Sequence, residues 1–488
     1  MRVIAGEGDR SKIPGNRKSR RLSLQLRQNI NLEEHVINEK GRTLRRRLSA
    51  MAYILFSAGS LFAAQSARAD GPLAGVAKQL EDAGVTPSLF TWNIYTNNLA
   101  VGPRTYQSSL STNVAAGADF DLNKLIGIPG GTFHFQYIFF PANRNTDATA
   151  PDGGYFGAAG GYYAGQQQSD ISKGYLSNFS YEQKLFHNVV DVTVGRFSGG
   201  VEFYHKGSLD CLLKVDCLDP VFEKSSGTLP PPYGSWAGMI RLNPTDRYYA
   251  KAAVFQLDLN QYLDKGNGFD WSFHHSLASS LDLELGYETN FSQDRYPAHY
   301  WATLFRNTYA LTSDDGSGDH ANGTNGFMLN GRKTIWRADG GTGDSPFPES
   351  IVLFGSYSAV IAPDTVLSLQ QRPYKHSGEI GVSYIGPFGR PRDVASIALS
   401  TSTLSDRYYN FVKRLVPDAK QTSYAIRGKY DVMLPHGFFI EPGFSYIFNP
   451  DDTANAYGIF RPSATHQLRD GWTVRVMVGW NIGQALGF

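Results

Sequence analysis

Charged side chains recur at every second position within several otherwise apolar segments of this chain. Asp282 and Glu284 alternate with leucines, and Arg427, Lys429 and Asp431 share one face of a second segment. Such groups can hydrogen-bond the hydroxyls of a polar solute, while neighbouring aromatic rings can pack on its C–H faces. The same pattern gives four further candidates, Arg241, Glu379, Glu441 and Arg475, and two weaker ones, His134 and Gln136. The alternative is that these groups only solvate a wet interior and pair with each other.

A pair of carboxylates on one face also fits an enzymatic hypothesis. Asp282 and Glu284 would lie about 7 Å apart along a strand, a separation that glycoside hydrolysis tolerates. Acidic pairs are common on polar faces, however, and the sequence contains neither a G-x-S-x-G nor an H-E-x-x-H motif. A hydrolase, either embedded in a barrel or secreted, is therefore the competing hypothesis, and we expect no catalytic residues, metal or cofactor.

The period of two predicts strands, because successive side chains of a strand point to opposite faces. It holds over residues 132–139, 281–288, 426–432 and 438–448, each with an apolar or aromatic second face. Residues 70–87 instead show helical spacing that ends in glycine and proline stop signals. We therefore expect one short N-terminal helix followed by strands.

The last seventeen residues are the clearest two-faced segment. Every second residue from Trp472 to Phe488 is apolar or aromatic except Gln484, and the residues between them are small or polar, with Arg475 as the one charge. Aromatic girdles on a lipid-facing strand are typical of outer-membrane barrels. We predict a single closing strand over this stretch, with Trp472, Trp480 and Phe488 as membrane-interface anchors. The closing strand of a soluble all-β domain is the alternative.

Connectors between the predicted strands differ in length. Residues 434–437 form a tight turn, whereas 143–168, 199–234 and 314–348 are long and rich in turn residues. Outer-membrane barrels have short turns at one rim and long loops at the other. The sequence thus predicts an all-β, antiparallel transmembrane barrel over residues 88–488.

Composition and charge agree with that class. The mean hydropathy of −0.31 excludes a helical membrane protein but not a barrel, whose lumen and loops are polar. Residues 1–69 hold 14 of the 46 basic and 5 of the 44 acidic residues, which leaves 32 basic and 39 acidic residues afterwards. The remainder therefore carries a formal charge of about −7, which argues against a nucleic-acid partner.

The N-terminal segment has the features of an export signal. A basic region ending in Arg45-Arg46-Arg47 precedes an apolar stretch over residues 48–64, which is short for a membrane span. Ala67-Arg68-Ala69 fits the small-x-small cleavage rule. We expect cleavage after Ala69, so that residues 1–69 are a basic extension plus a signal peptide. A single transmembrane anchor is the alternative, and residues 1–40 are either an extended signal or upstream of the true start codon.

The chain contains only two cysteines, Cys211 and Cys217, within a loop-like stretch. In an oxidising compartment they can close a small disulfide ring that stabilises the loop by roughly 2 kcal/mol on the chain-entropy model. Two thiolates without a nearby histidine would make a poor zinc site. A disulfide is therefore the preferred interpretation.

Several motifs, in order, resemble the carbohydrate-selective porin (OprB-type) family of Gram-negative outer membranes. They are residues 83–88 (AGVTPS), 194–197 (VGRF) with 201–203 (VEF), the two-cysteine loop with 232–238 (PYGSWAG), 386–393 (GPFGRPRD) and 440–450 (IEPGFSYIFNP). Two points depart from the family pattern: Gly443 replaces a usually acidic residue, and the long basic N-terminal arm is not a family feature. Arg196 belongs to one of these motifs, yet it shares parity with Val192 and Val194, so we expect it at the rim.

The resemblance implies a barrel of about 16 strands with a constricted lumen that passes small sugars and polyols passively. Weak, replaceable contacts would select a solute without trapping it. Charges of both signs in the lumen suit neutral solutes better than a strong ion filter. The implied partners are the sugars, outer-membrane lipid and lipopolysaccharide, and the barrel insertion machinery, for a monomer or a homotrimer.

Overall fold

The computed structural model describes residues 71–146, 155, 159, 174–204, 206–207, 219–229, 232–257, 278–342, 348–368, 373–451 and 468–488. Within these residues the helices are Ala74–Asp82 (α1), Leu122–Ile126 (α2), Gly199–Phe203 (α3), Pro220–Ser225 (α4), Asp406–Leu415 (α5) and Ile482–Leu486 (α6). No helix in this part of the chain is long and apolar enough to cross a membrane.

Two 3-10 helices, Pro387–Gly389 and Pro435–Gly437, and sixteen strands make up the rest of the regular structure in the described residues. In chain order the strands are Val85–Asn98 (β1), Gln107–Asp121 (β2), Gly131–Arg144 (β3), Gly174–Leu185 (β4), Val190–Phe197 (β5), Ser235–Leu242 (β6), Tyr248–Leu257 (β7), Ala278–Glu288 (β8), Ala298–Thr312 (β9), His320–Arg337 (β10), Ser350–Ile361 (β11), Tyr374–Ile385 (β12), Val394–Leu404 (β13), Thr422–Met433 (β14), Phe438–Phe448 (β15) and Gly471–Asn481 (β16).

The strands form one closed antiparallel barrel. Each strand pairs with its neighbours in sequence, and β1 closes the sheet by pairing with β16, where Thr96 lies opposite Arg475. Closure satisfies the backbone hydrogen bonds of the two terminal strands and leaves no free sheet edge. The predicted all-β antiparallel barrel of about 16 strands is confirmed.

The two faces of the wall differ as the alternation predicts. On β8, Leu281, Leu283 and Leu285 are exposed on the outer face, whereas Asp282 and Glu284 are buried on the inner face. The same division holds on β16, where Trp472 and Trp480 lie outside. An apolar outer face and a polar inner face are what a barrel in lipid requires.

Connector lengths alternate around the barrel. The end that carries α1 and α6 has short turns, such as 186–189 and 434–437, and the other end has long connectors, such as 198–234 and 405–421. The prediction of one long loop over residues 314–348 is wrong, because this stretch contains β10. Its asparagines and the glycines at 323, 326 and 331, which suggested turns, lie in an 18-residue strand with two register shifts, one against β9 and one against β11.

The two ends of the described chain meet at the short-turn rim. The backbone N–H of Leu73, just before α1, donates to the carbonyl of Leu486 in α6 at 2.9 Å. The predicted single strand from Trp472 to Phe488 is wrong, since β16 ends at Asn481. The Asn481 side chain caps α6 by accepting from the backbone N–H of Gln484, as N-cap asparagines do. The barrel also begins at Val85, three residues before the expected position 88.

Candidate functional site in the barrel lumen

The described part of the connector between β5 and β6, residues 198–204, 206–207, 219–229 and 232–234, packs against the inner face of the barrel; we call this part the inserted connector. Its Asp219 carboxylate accepts hydrogen bonds from Ser358 Oγ on β11 and Ser377 Oγ on β12, both at 2.6 Å. The same buried carboxylate caps α4 by accepting from two backbone N–H groups of that helix. Four donors therefore satisfy this buried charge and fix α4 to the wall.

A second attachment is a salt bridge between the inserted connector and β12. Lys206 Nζ lies 3.3 Å from Glu379 Oε2, and both side chains are buried. The Arg427 guanidinium on β14 contacts the same carboxylate oxygen. Ser400 Oγ on β13 also donates to it, at 2.6 Å. One carboxylate thus holds a cation of the connector and a cation of the wall together.

A third attachment covers the inner face of β8. Tyr204 donates its hydroxyl hydrogen to Asp282 Oδ2 at 2.7 Å, and Ser280 Oγ donates to Oδ1 at 2.9 Å. Burial raises the pKa of Tyr204 well above its ordinary value, so the phenol remains a donor. On the adjacent strand β9, Asn307 Nδ2 donates to the carbonyl oxygen of Ser225 in α4 at 2.6 Å.

These attachments carry the inserted connector across the barrel. It starts at β5 and reaches β12, which is seven strands away in a ring of sixteen and therefore nearly opposite. It then returns toward β6, where Leu229 and Tyr233 pack into an apolar cluster with Phe90, Trp92 and Ile138 of the inner wall. The connector is thus anchored on both sides of the lumen.

The strands β14 to β16 bring four predicted residues together beside the second attachment. Arg475 Nη2 lies 2.7 Å from Glu441 Oε1, and Lys429 Nζ lies 3.6 Å from Glu441 Oε2. Lys429 Nζ is also 3.8 Å from Asp431 Oδ2. The Glu441 side chain is fully buried, whereas Lys429 and Arg475 keep 11% and 13% of their side-chain surface exposed. The side chains of the two cations are therefore more exposed than the carboxylate that they share, although Lys429 Nζ itself is buried.

A further group of charges lies on β6 to β8. Lys251 Nζ is 3.0 Å from Glu284 Oε1, and Thr303 Oγ1 donates to Glu284 Oε2 at 2.9 Å. The Arg241 guanidinium carbon lies 4.6 Å from the centre of the Tyr249 ring, a distance typical of a cation–π contact. Aromatic and charged groups are therefore adjacent on this part of the inner face.

All nine main candidates lie on the inner face, as parity predicts, but their surroundings differ. The four that form the group on β14 to β16 are Lys429, Asp431, Glu441 and Arg475. Asp282 and Glu379 instead hold the inserted connector, and both carboxylates are buried beneath it. A direct contact between these two carboxylates and a solute is therefore excluded in this conformation.

The two weaker candidates, His134 and Gln136, and Arg196 all make contacts within the barrel wall. His134 Nδ1 lies 2.7 Å from Asp119 Oδ1, and Gln136 Oε1 accepts from Ser177 Oγ at 2.7 Å, so both residues pair within the wall. Arg196 is fully buried rather than at an exposed rim, and its Nε donates to the carbonyl of Leu176 at 3.1 Å. The positive φ of Gly195 interrupts the regular strand geometry on which the parity argument depended.

The other site predictions concern the outer surface and the loops. Trp472 and Trp480 lie exposed on the outer face of β16, where interface anchors are expected. Phe488 follows α6 instead of ending a strand, and its backbone N–H donates to the carbonyl of Gly483. The predicted disulfide between Cys211 and Cys217 and the predicted cleavage after Ala69 lie outside the described residues.

The architecture and the comparisons with known proteins define a class first. A closed antiparallel barrel of sixteen strands with a polar inner wall is the architecture of a porin. The structure is similar to the high-pH structure of Pseudomonas putida OprB, with a TM-score of 0.69, 17% identity, and coverage of 86% of this chain and 100% of that chain. At this identity the similarity establishes the fold alone.

Two further solved structures are more distant. The low-pH structure of Pseudomonas putida OprB has a TM-score of 0.49 at 14% identity and covers 86% of this chain and 100% of that chain. The outer-membrane channel DcaP of Acinetobacter baumannii has a TM-score of 0.43 at 8% identity, and the match covers 81% of this chain and 96% of that chain. These two scores add nothing to the fold assignment.

The sequence comparison gives the family. A family model described as carbohydrate-selective porin, OprB family, matches residues 108–460, which is more than half of the chain. No curated protein matches the sequence significantly. The chain belongs to the OprB family of carbohydrate-selective porins. It is accordingly an outer-membrane protein of the Gram-negative type, and its family and fold indicate a channel rather than an enzyme.

Proposed function

We propose that this porin lets small carbohydrates and polyols diffuse passively across the outer membrane through a lumen narrowed by the inserted connector. The observation that carries the proposal is the triple attachment of that connector to the inner wall, through Asp219, Lys206 and Tyr204. A segment held at several points across a barrel reduces the open cross-section and brings wall side chains within reach of a passing solute.

Selection for sugars would then use the groups that remain near the lumen. Arg427, Arg475 and Arg241 can donate to hydroxyl oxygens, and rings such as Tyr249 can pack on the C–H face of a pyranose. Most of these groups already pair with other residues of the wall, so a solute competes for their hydrogen bonds. Contacts of this kind are weak and reversible, as passive flux requires.

The rest of the chain suits export to that membrane. We propose that residues 1–69 are removed after Ala69, that α1 and the barrel form the mature protein, and that Cys211 and Cys217 form a disulfide. Outer-membrane lipid and lipopolysaccharide would surround the exposed outer face, with Trp472, Trp480 and Phe488 as interface anchors. The insertion machinery for barrels would be a transient partner, and the mature protein would be a monomer or a homotrimer.

The carboxylates of the inner wall do not support the hydrolase hypothesis. Its best carboxylate pair, Asp282 and Glu284, is engaged by Tyr204, Ser280 and Lys251 and is buried. A general acid and a nucleophile must both reach the glycosidic bond. We therefore prefer the channel.

Liposome swelling tests the proposal directly. Purified, folded protein is reconstituted in liposomes, and swelling rates are measured in isotonic solutions of neutral sugars of increasing size. We expect fast swelling with tri- to hexacarbon polyols and monosaccharides, and a steep fall for larger oligosaccharides. Absence of swelling for every sugar, with the barrel shown to be folded by its heat-modifiable gel mobility, would refute the porin proposal for this chain.

A further inference from the structure

The inner wall of β14 to β16 contains a gap between two cations. Lys429 on β14, Gly443 on β15 and Arg475 on β16 are paired in one row across three neighbouring strands. The middle residue has no side chain. The two cations therefore flank a position without a side chain, each on a neighbouring strand about 5 Å away. We call these three residues the cationic notch.

The room above Gly443 is adjacent to both cationic side chains. A Cβ atom at this position would lie 3.6 Å from Arg475 Nη2 and 3.6 Å from Lys429 Cβ. Its nearest backbone neighbour, the carbonyl oxygen of Gly428, would be 3.4 Å away. These are ordinary van der Waals distances, so a small group fits there without displacing the wall.

The two cations of the notch lie beside two carboxylates of the same wall. Glu441 contacts both cations, but its side chain is fully buried, whereas those of Lys429 and Arg475 are partly exposed. Asp431 lies on the Lys429 side, 3.8 Å from that ammonium group. Lys429 Nζ is itself buried, so the partly exposed Arg475 side chain is the cation of the notch that can donate to a solute, while the Lys429 ammonium contributes only its nearby positive charge.

The cations of the adjacent attachment extend this positive surface. Arg427, two residues before Lys429 on the same strand face, and Lys206 share the single buried carboxylate of Glu379. Among the residues that the structure describes, the two groups together hold four cations, Lys206, Arg427, Lys429 and Arg475, against three carboxylates, Glu379, Asp431 and Glu441. An anionic solute is therefore favoured on this wall over a cationic one.

We propose that the cationic notch binds the carboxylate of sugar acids, so that the channel prefers an acidic sugar to a neutral sugar of equal size. Planar guanidinium donors suit a carboxylate, and the flanking ammonium adds attraction without a fixed geometry. The hydroxyls of the same solute use the wall donors already assigned to neutral sugars. This proposal rests on the proposed function, since it assumes that sugars enter the lumen.

The experiment compares two probes that differ in one functional group, glucose and gluconate. The full folded porin is reconstituted in planar bilayers in about 0.1 M KCl, where the Debye length is about 10 Å. The half-blocking concentration of each probe is measured from single-channel current. For the wild-type protein we expect a gluconate value lower than the glucose value by about three- to tenfold, a range typical of modest charge contacts.

Two variants with side chains of nearly equal size distinguish an effect of charge at position 443 from an effect of side-chain volume. Gly443→Asp places a carboxylate in the notch and should bring the gluconate-to-glucose ratio to about one or above. Gly443→Asn places a neutral amide of the same shape there and should keep the ratio near the wild-type value. Since the Gly443 backbone does not have a positive φ, both side chains are compatible with the strand. Heat-modifiable gel mobility checks that each variant folds.

The results that would refute the cationic notch differ from the results that would refute the proposed porin function. If glucose enters and blocks the channel but the wild-type ratio is one, the cationic notch does not recognise carboxylates and this proposal fails. If Asp and Asn change the ratio equally, the effect is one of size and the proposal also fails. If neither probe enters the folded channel, the proposed function itself is refuted. Should Gly443→Asp not fold, Lys429→Gln replaces it, with the same expected loss of gluconate preference.

Discussion

Two parts of the inner wall contain the same kinds of residues but use them differently. On the covered wall, the inner faces of β8, β9, β11 and β12, charged and polar side chains hold the inserted connector, and Asp282 and Glu379 are buried. On the open wall, the inner faces of β14 to β16, Lys429 and Arg475 remain partly exposed. The difference shows that an inward charge in a barrel is not by itself a solute contact.

The physical reason is the low dielectric beneath the connector. A buried charge must be paired or hydrogen-bonded, because desolvation otherwise costs several kcal/mol. Residues on the covered wall therefore take fixed partners in the connector. On the open wall the Arg475 side chain remains partly exposed, whereas Lys429 Nζ is buried, so the contact between Arg475 and Glu441 is the one for which a solute can compete.

The largest effect is expected from Asp219→Ala, which removes the carboxylate that fixes α4 to the covered wall. Each hydrogen bond to a buried charge contributes about 1.5–3 kcal/mol, and Asp219 accepts four. The connector should leave the wall, and both the single-channel conductance and the size limit for neutral sugars should rise. Ser358→Ala, which removes one donor, is the matched control and should change both less. A conductance equal to wild type in Asp219→Ala would show that this attachment does not position the connector.

Glu379→Gln should have the next largest effect. It leaves the buried Lys206 ammonium and the partly exposed Arg427 guanidinium close together without the carboxylate that they share. Breaking a buried ion pair in this way costs about 3–5 kcal/mol. We expect a lower temperature for the loss of heat-modifiable gel mobility, or a higher conductance if the connector alone is released.

Ser400→Ala is the control for Glu379→Gln, since it removes one hydrogen bond to the carboxylate and keeps all three charges. It should lower the transition temperature less. Equal stability and equal conductance of Glu379→Gln and wild type would contradict the distinction between the covered and open walls.

A smaller change in stability is expected from Arg475→Gln on the open wall. Glu441 keeps its contact with Lys429, and a partly exposed ion pair contributes about 1 kcal/mol or less. The function should change more than the stability. The reversal potential in a KCl gradient should shift toward cation preference, because one lumen-facing positive charge is lost.

The control for Arg475→Gln is Arg475→Lys, which keeps the charge and should keep the wild-type reversal potential. If Arg475→Gln lowered the transition temperature as much as Glu379→Gln and left the reversal potential unchanged, the open wall would be structural like the covered one.

Much of the fold was predictable because it depends on local periodicity. Alternation placed Asp282, Glu379, Glu441 and Arg475 on the inner face, and all four are there. Alternation failed where a local signal competed with it. Asn481 begins a capped helix in the middle of an apolar period, and asparagine at this position is a known helix start signal.

The covered wall could not be predicted in the same way. Lys206 and Glu379 are 173 positions apart in sequence, and no periodicity links a connector to a distant strand. One local signal was available, since Asp219 followed by Pro220 is the pattern of an N-cap and first helical residue. It indicates a helix within a presumed loop, but not the wall on which that helix rests.

The central claim is that sugars pass through the lumen beside the inserted connector. Single-channel recording with increasing glucose tests it most directly, because a sugar inside a narrowed lumen interrupts the ion current. We predict a saturable, concentration-dependent block in the wild-type channel that weakens in Asp219→Ala. A current that falls only in proportion to the viscosity of the solution, and equally in both proteins, would contradict the claim.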